Sequence, residues 1–381
     1  MKYVNLFQKA TRFFDLTLTL IFTLLSLITL IGCGEDDETP IPPKLPEVST
    51  AAISNITKTS AGGGGNVVSD GGAEIVARGV CWGLTENPDI TNSKTSDGVG
   101  VGSFNSVIEG LALNTTYFVR AYATNSVGTG YGPQVSFTTD DLSLLDDLIS
   151  YWTLDQTAGN TATDAAGNWS LNLVNNPTWF TPGKKGNAVD FGTESIRYLE
   201  KTGFYTSNKN TYSLAAWVYL EDGSADLKYI MGMNSGGYAE NAGAAEVKIY
   251  LDAENKLAAM YFTNDGVNHG TESVMLRTSG ASLLLNTWYH VVGVIDDGTV
   301  QLYINGQIDN SNETENSVKT NLYITNGRIA VGNARLYKQT YSASRWWRGK
   351  LDEVGIWSRP LRSTDVLKLY NEGDPLQHPF D

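Results

Sequence analysis

The feature that most constrains this chain is a side-chain alternation of period two that recurs along its length between glycine and asparagine turns. In the run Thr116 to Asn125, Tyr117, Val119, Ala121 and Ala123 fall on one face, while Phe118, Arg120 and Tyr122 fall on the other. A pleated strand gives that alternation and a helix does not. Tyr212 to Leu220 and Trp288 to Ile295 carry large apolar groups on both faces, as central strands between two layers do. Val300 to Ile304, then Asn305-Gly306, then Gln307-Ile308 is a predicted hairpin, because both central residues of its tight turn need positive φ. Asp70-Gly71-Gly72, Asp97-Gly98 and Gly128-Thr129-Gly130 punctuate other strands. The predicted fold class is all-β. A single short helix is expected near the C-terminus, with Ser363 as N-cap, then Val366, Leu367, Leu369 and Tyr370, and Gly373 past its end.

Composition narrows the function. With 381 residues the chain has room for two or three domains, each burying its own core. Lys+Arg 27 against Asp+Glu 41 gives a net charge of −14, which argues against nucleic acid as a partner. Two cysteines exclude a disulfide framework and a Cys-rich zinc module. The three histidines, His269, His290 and His378, make no pair at metal-ligand spacing. Cys81 reads as a small core residue, since nothing near it in sequence lowers a thiol pKa. His290 reads as a core histidine in mid-strand.

The first residues read as an address. Lys2, Lys9 and Arg12 precede an apolar run from Leu16 to Gly32, about 17 residues long, which suits a signal peptide better than a spanning helix. Its end, Leu30-Ile31-Gly32-Cys33, resembles a bacterial lipobox. That resemblance implies lipidation of Cys33, removal of residues 1–32 and attachment to the outer membrane or cell surface through the lipid. The alternative is an uncleaved anchor. Gly34-Glu35-Asp36-Asp37-Glu38 resembles the surface-export signal of Bacteroidetes-type lipoproteins, and otherwise reads as a solvated start. Pro40, Pro42, Pro43 and Pro46 make residues 33–46 a semi-rigid tether.

Residues 47–139 resemble a bacterial fibronectin type III module, an immunoglobulin-like sandwich. The resemblance is carried by Ala77-Arg78-Gly79-Val80-Cys81-Trp82-Gly83, Gly110-Leu111, Thr116-Tyr117 to Asn125, and Val135-Ser136-Phe137-Thr138-Thr139. Arg120 is expected to lie over Tyr122. After a linker at 140–147, residues 148–373 resemble a laminin G-like, concanavalin A-type jelly roll, with a tail at 374–381. The motifs are Ser150-Tyr151-Trp152-Thr153-Leu154-Asp155, Gly183 to Gly192, Thr287 to Val291, Leu302 to Gly306, and Gly349 to Leu361. Members of that family include carbohydrate binders, adhesion modules and glycoside hydrolases.

A hydrolase needs two carboxylates facing one bond. The Glu-x-Asp-x-x-Glu and Glu-x-Asp-x-Glu strand patterns of laminarinase-type relatives are absent, and adjacent Asp352 and Glu353 are expected on opposite faces. Sugars are held by flat rings and a few polar partners. Trp346, Tyr337, Tyr341 and Arg335, in an aromatic and basic stretch, are therefore candidate ligand contacts, with Trp347 turned to the core. Tyr238 and Asn234 form a second candidate loop. Trp152, Trp217, Trp288 and Trp357 are expected in the core. No cofactor is demanded. Relatives imply a possible structural calcium held by Asp352 with Asp164 and Asp190; otherwise Asp352 accepts backbone N–H groups across a turn. The expected function is non-catalytic recognition of extracellular carbohydrate by the jelly roll. The alternatives are adhesion to a protein partner, or glycoside hydrolysis.

Overall fold

The computed structural model describes residues 41–204, 211–234, 245–264, 272–296, 299–309, 312–315, 327–333 and 346–371. These fall into two compact units, divided between Leu142 and Ser143. Among the described residues every strand pair is antiparallel and there is one α-helix of eight residues, Ser363–Tyr370.

The first unit stacks a three-stranded sheet (Glu47–Thr50, Ser60–Ser69, Gly102–Glu109) on a five-stranded one built around Ala77–Gly83 and Thr116–Thr124. Tyr117, Val119, Ala121 and Ala123 face its core with Val80, Phe104 and Ile108, as the alternation requires. Arg120 lies over Tyr131, 4.6 Å from the ring centroid, and not over Tyr122, whose hydroxyl donates to Thr95 O. Cys81 is buried, and burial pushes its thiol up to about 11. Lys44 and Pro46, assigned to the tether by sequence, already pack on this unit. Lys44 N donates to Gly71 O, and the Asn125 amide donates to Lys44 O and Asp70 O.

In the second unit a nine-stranded sheet runs in the order Thr161–Ala162, Leu171–Val174, Tyr198–Phe204, Gly327–Val331, Lys228–Asn234, Ala245–Leu251, Lys256–Asn264, Glu272–Ser282, Asn312–Glu315. Facing it is an eight-stranded sheet in which Gly349–Trp357 pairs with Ala188–Asp190, Thr211–Leu220 and Leu148–Trp152, and Thr211–Leu220 continues to Trp288–Asp296, Thr299–Ile304 and Gln307–Ile308. This is the predicted jelly roll. The sheets meet through Leu214, Ala216, Val218, Val291 and Ile295 on one side and Met231, Met233, Ile249 and Ala259 on the other. Gly293 lets them close: a Cβ there would lie 2.6 Å from Ile249 Cγ2 and 3.0 Å from Ala259 Cβ. Asn305 and Gly306 have φ of 50° and 77°, the two positive values the hairpin between Tyr303 and Ile308 needs.

The helix covers the outer face of the eight-stranded sheet. Val366 and Leu369 pack on Tyr151, Ala215, Val292 and Trp357, a cluster separate from the inter-sheet core. Its N-cap is Arg362, one residue before the Ser363 expected from sequence, and it ends at left-handed Asn371, before Gly373; Leu367 stays 44% exposed. Tyr370 stacks on Trp217 at 5.8 Å and on His290 at 6.2 Å. His290 is buried as expected, its Nδ1 has no hydrogen-bond partner, and burial lowers its pKa to about 3. Trp152, Trp217 and Trp357 are buried, but Trp288 is half-buried against Tyr219, because it begins its strand beside the exposed Leu284–Thr287 segment.

Two outcomes follow from this packing. Gly293→Val overfills the contact between the sheets and should cost about 2 kcal/mol or more, read as a lower melting temperature of the second unit. The folded His290 stays neutral down to pH about 3 while the unfolded chain takes up its proton near 6.5. Its contribution to stability is therefore complete above pH 6.5 and is lost as pH falls toward 3, on the order of 4 kcal/mol in all. His290→Phe should flatten the fall in melting temperature between pH 6.5 and 4; an unchanged slope would contradict this assignment.

Candidate functional site

The sequence-predicted residues do not converge on one place. Tyr337, Tyr341, Arg335, Tyr238 and Cys33 lie outside the described residues. Trp347 is fully buried and its indole donates to Lys350 O, so the predicted inward turn holds. Trp346 is half-buried beside the Asn333 bridge, and the Arg348 guanidinium lies 4.8 Å from its ring centroid. One ring face is thereby occupied by a cation. Asn234 is not a loop residue: it ends the strand Lys228–Asn234, pairs with Arg328 and Glu246, and is 7% exposed.

The three aspartates proposed for calcium do not assemble a metal site. Asp164 accepts Tyr151 N and Ala166 N on Oδ1, and Asn168 N and Trp169 N on Oδ2. Asp352 accepts Lys184 N at 2.8 Å and Lys185 N at 2.9 Å on Oδ2, and Glu353 N on Oδ1. Asp190 caps its own turn through Gly192 N. Asp164 accepts four backbone donors, Asp352 three and Asp190 one, and among the described residues no cluster of three metal-ligating side chains occurs. The plain alternative for Asp352 is the one observed.

The same turn, Gly183–Asn187, also holds Asp155, whose Oδ1 accepts Asn187 N. Gly186 sits there at φ 59°, where a Cβ would lie 2.0 Å from Asp155 Oδ1. Glu353, at φ 48°, makes a bulge in the central strand, so it and Asp352 do not take opposite faces. Asp352 pairs beside Trp217, and Glu353 accepts the Tyr151 hydroxyl at 2.5 Å, both on the outer side of the sheet. Burial drives the Asp352 carboxyl upward from the usual range, with the Lys185 N–H pulling the other way.

A polar and aromatic layer lies on the outer face of the nine-stranded sheet, and sequence reasoning missed it. Parity assigns it: Met231, Val247, Ile249, Ile329 and Val331 face the core, so their alternating neighbours face away. Lys248 Nζ lies 4.8 Å from the Tyr229 ring centroid and 5.9 Å from that of Tyr250, and these rings are 5.4 Å apart. Two strands away Arg328 lies 5.4 Å from the Tyr198 centroid and forms an ion pair with Glu200. Between them the register runs Glu200, Ala330, Gly232, Lys248, so the layer falls to a methyl and a hydrogen across roughly 14 Å of sheet. Lys248, Asn234, Arg328 and all three tyrosines are each over nine-tenths buried, and Tyr229 and Tyr250 pack with Ala258 in a small cluster of their own, which holds these side chains in one geometry. Rings that accept C–H faces, with amide and cationic donors beside them, are what a saccharide requires.

No curated protein matches the chain. Among solved structures it is similar to domain 4 of AbnA, a GH43 extracellular arabinanase from Geobacillus stearothermophilus in complex with arabinotriose. Identity is 16%, the TM-score 0.41, and coverage 59% of this chain and 98% of that one. It is also similar to a heptameric SAP-like pentraxin from Limulus polyphemus, at 17% identity and TM-score 0.33, over 47% of this chain and 78% of that one. A sialidase from Trypanosoma rangeli, in complex with sialic acid, gives 11% identity and TM-score 0.40; the match covers 86% of this chain and 53% of the sialidase. A family model described as the concanavalin A-like lectin/glucanases superfamily matches residues 191–367 of the chain.

Proposed function

We propose that the jelly-roll unit binds extracellular carbohydrate without transforming it, on the outer face of its nine-stranded sheet. The observation that carries this reading is the layer of Tyr229, Tyr250 and Tyr198 interleaved with Lys248 and Arg328 on the side of the sheet away from the core. Tyr229, Tyr250 and Tyr198 are over nine-tenths buried and carry Lys248 or Arg328 over their rings, so a pyranose would rest on ring edges beside Ala330 and Gly232 while its hydroxyls meet Lys248, Asn234 and the Arg328–Glu200 pair. Hydrolysis is the weaker reading, because Glu200 on this face is tied up by Arg328 and is not poised as acid or nucleophile. In this proposal Cys33 carries a lipid, the acidic and proline-rich start is a tether, and the first unit is a fibronectin type III-like spacer. Many tethered copies would raise a weak single-site affinity by avidity.

A glycan array with the protein lacking residues 1–40 tests the reading, since Lys44 and Pro46 belong to the folded unit. Tyr250→Ala and Lys248→Ala should each lower the melting temperature by a few degrees, since both side chains are buried, and weaken the best ligand roughly ten-fold or more on protein that is still folded at the assay temperature. Trp346→Ala should cost less, because Arg348 already covers one face of that ring. Binding that survives both sheet-face variants would reject the assigned surface.

A further inference from the structure

The strand Lys228–Asn234 opens with a lysine that is 0% exposed. Its Nζ donates to the backbone oxygen of Ser224, to that of Asp226 at 3.1 Å, and to Asn255 Oδ1 at 2.9 Å. All three ammonium protons therefore reach oxygen. The first two acceptors belong to the segment between Leu220 and Lys228; the third comes from the turn at Asn255, whose φ is 60°. Burial lowers the amine from the usual lysine range, while Asp222, Asp226 and Asp252 favour its charge and Arg348 opposes it.

Arg348 closes the same segment from another side. It donates through Nη1 to Asp222 Oδ2 at 2.7 Å and to Ser224 Oγ, and through Nη2 to Asp226 Oδ2 at 3.0 Å. The oxygens around Lys228, two main-chain carbonyls and one side-chain amide with carboxylates behind them, are the donor set of a hard-cation site. Here the cation is covalently part of the chain.

We propose that Lys228 Nζ is the resident cation of an oxygen cage that fixes residues 221–227, and that truncating this side chain leaves a site for a free small cation. The cage orders that segment, and with it Arg348 and the Trp346 ring, at any ambient calcium level. An uncharged side chain of the same length would leave three buried oxygens without a donor, which costs more than the loss of a surface lysine.

Thermal melts of three forms test this, each in sodium chloride alone and with propylammonium chloride, calcium chloride or a chelator at matched ionic strength. The unmodified protein should melt at the same temperature in all four. Lys228→Ala should melt about 10 °C lower and recover at least half of that loss with propylammonium or calcium. Lys228→Met, which fills the volume without charge, should melt lower and recover with neither. If Lys228→Ala does not fold, its refolding yield with and without these cations is read in the same way. Lys228→Met melting with the unmodified protein, or Lys228→Ala indifferent to every added cation, would overturn the proposal.

Discussion

Backbone N–H groups of the Gly183–Asn187 turn reach the buried carboxylate of Asp352 and the half-buried one of Asp155, and the architecture of the larger unit depends on that contact. Asp352 lies in the strand Gly349–Trp357, which has partners on both sides. A carboxylate in that position, with no water to solvate it, needs donors of fixed geometry. The turn supplies them without metal, and only a residue lacking Cβ fits at Gly186 against Asp155. Next to this contact the bulge at Glu353 shifts the register against Thr211–Leu220, which sets which residues of the strand face outward.

The two outer faces of the sandwich then diverge. On the eight-stranded sheet the outward residues Trp217, His290, Val292 and Trp357 are capped by the C-terminal helix, and Asp365 fastens that helix to Arg359 and Arg362. Arg359 in turn donates to Asp146 O and Ser143 O, so the first and last described segments of the unit are clasped together. The outer face of the nine-stranded sheet carries instead tyrosines with cations over them. The first face is covered by that helix, whereas among the described residues no helix covers the second, and this contrast is why the binding surface is placed there.

Strand periodicity, the Asn305-Gly306 hairpin, the inward Trp347 and the terminal helix are all local properties, and they were readable from the chain. So was the importance of the Gly183–Gly186 motif, though not its purpose, since Asp352 lies far away in sequence and meets the turn only through the fold. Parity arguments failed where a bulge intervenes: Glu353 breaks alternation in one sheet, and the shift between Tyr229 and Met231 does so in the other. The tyrosine and cation layer was invisible for a related reason. Tyr198, Tyr229, Lys248 and Arg328 come from four strands scattered over 130 residues, and only the strand order makes them neighbours. Trp346 drew attention because aromatic density is easily seen in a linear sequence, while the Arg348 that covers it is not.

The account stands on where a saccharide sits, so a crystal structure of the protein with its best array ligand is the most direct test. Sugar density is predicted over Ala330 and Gly232, at the edge of Tyr250 or Tyr229 and with a hydroxyl on Lys248. Density at the half-buried Trp288 and Tyr219 of the opposite sheet, or beside Trp346 alone, would contradict it.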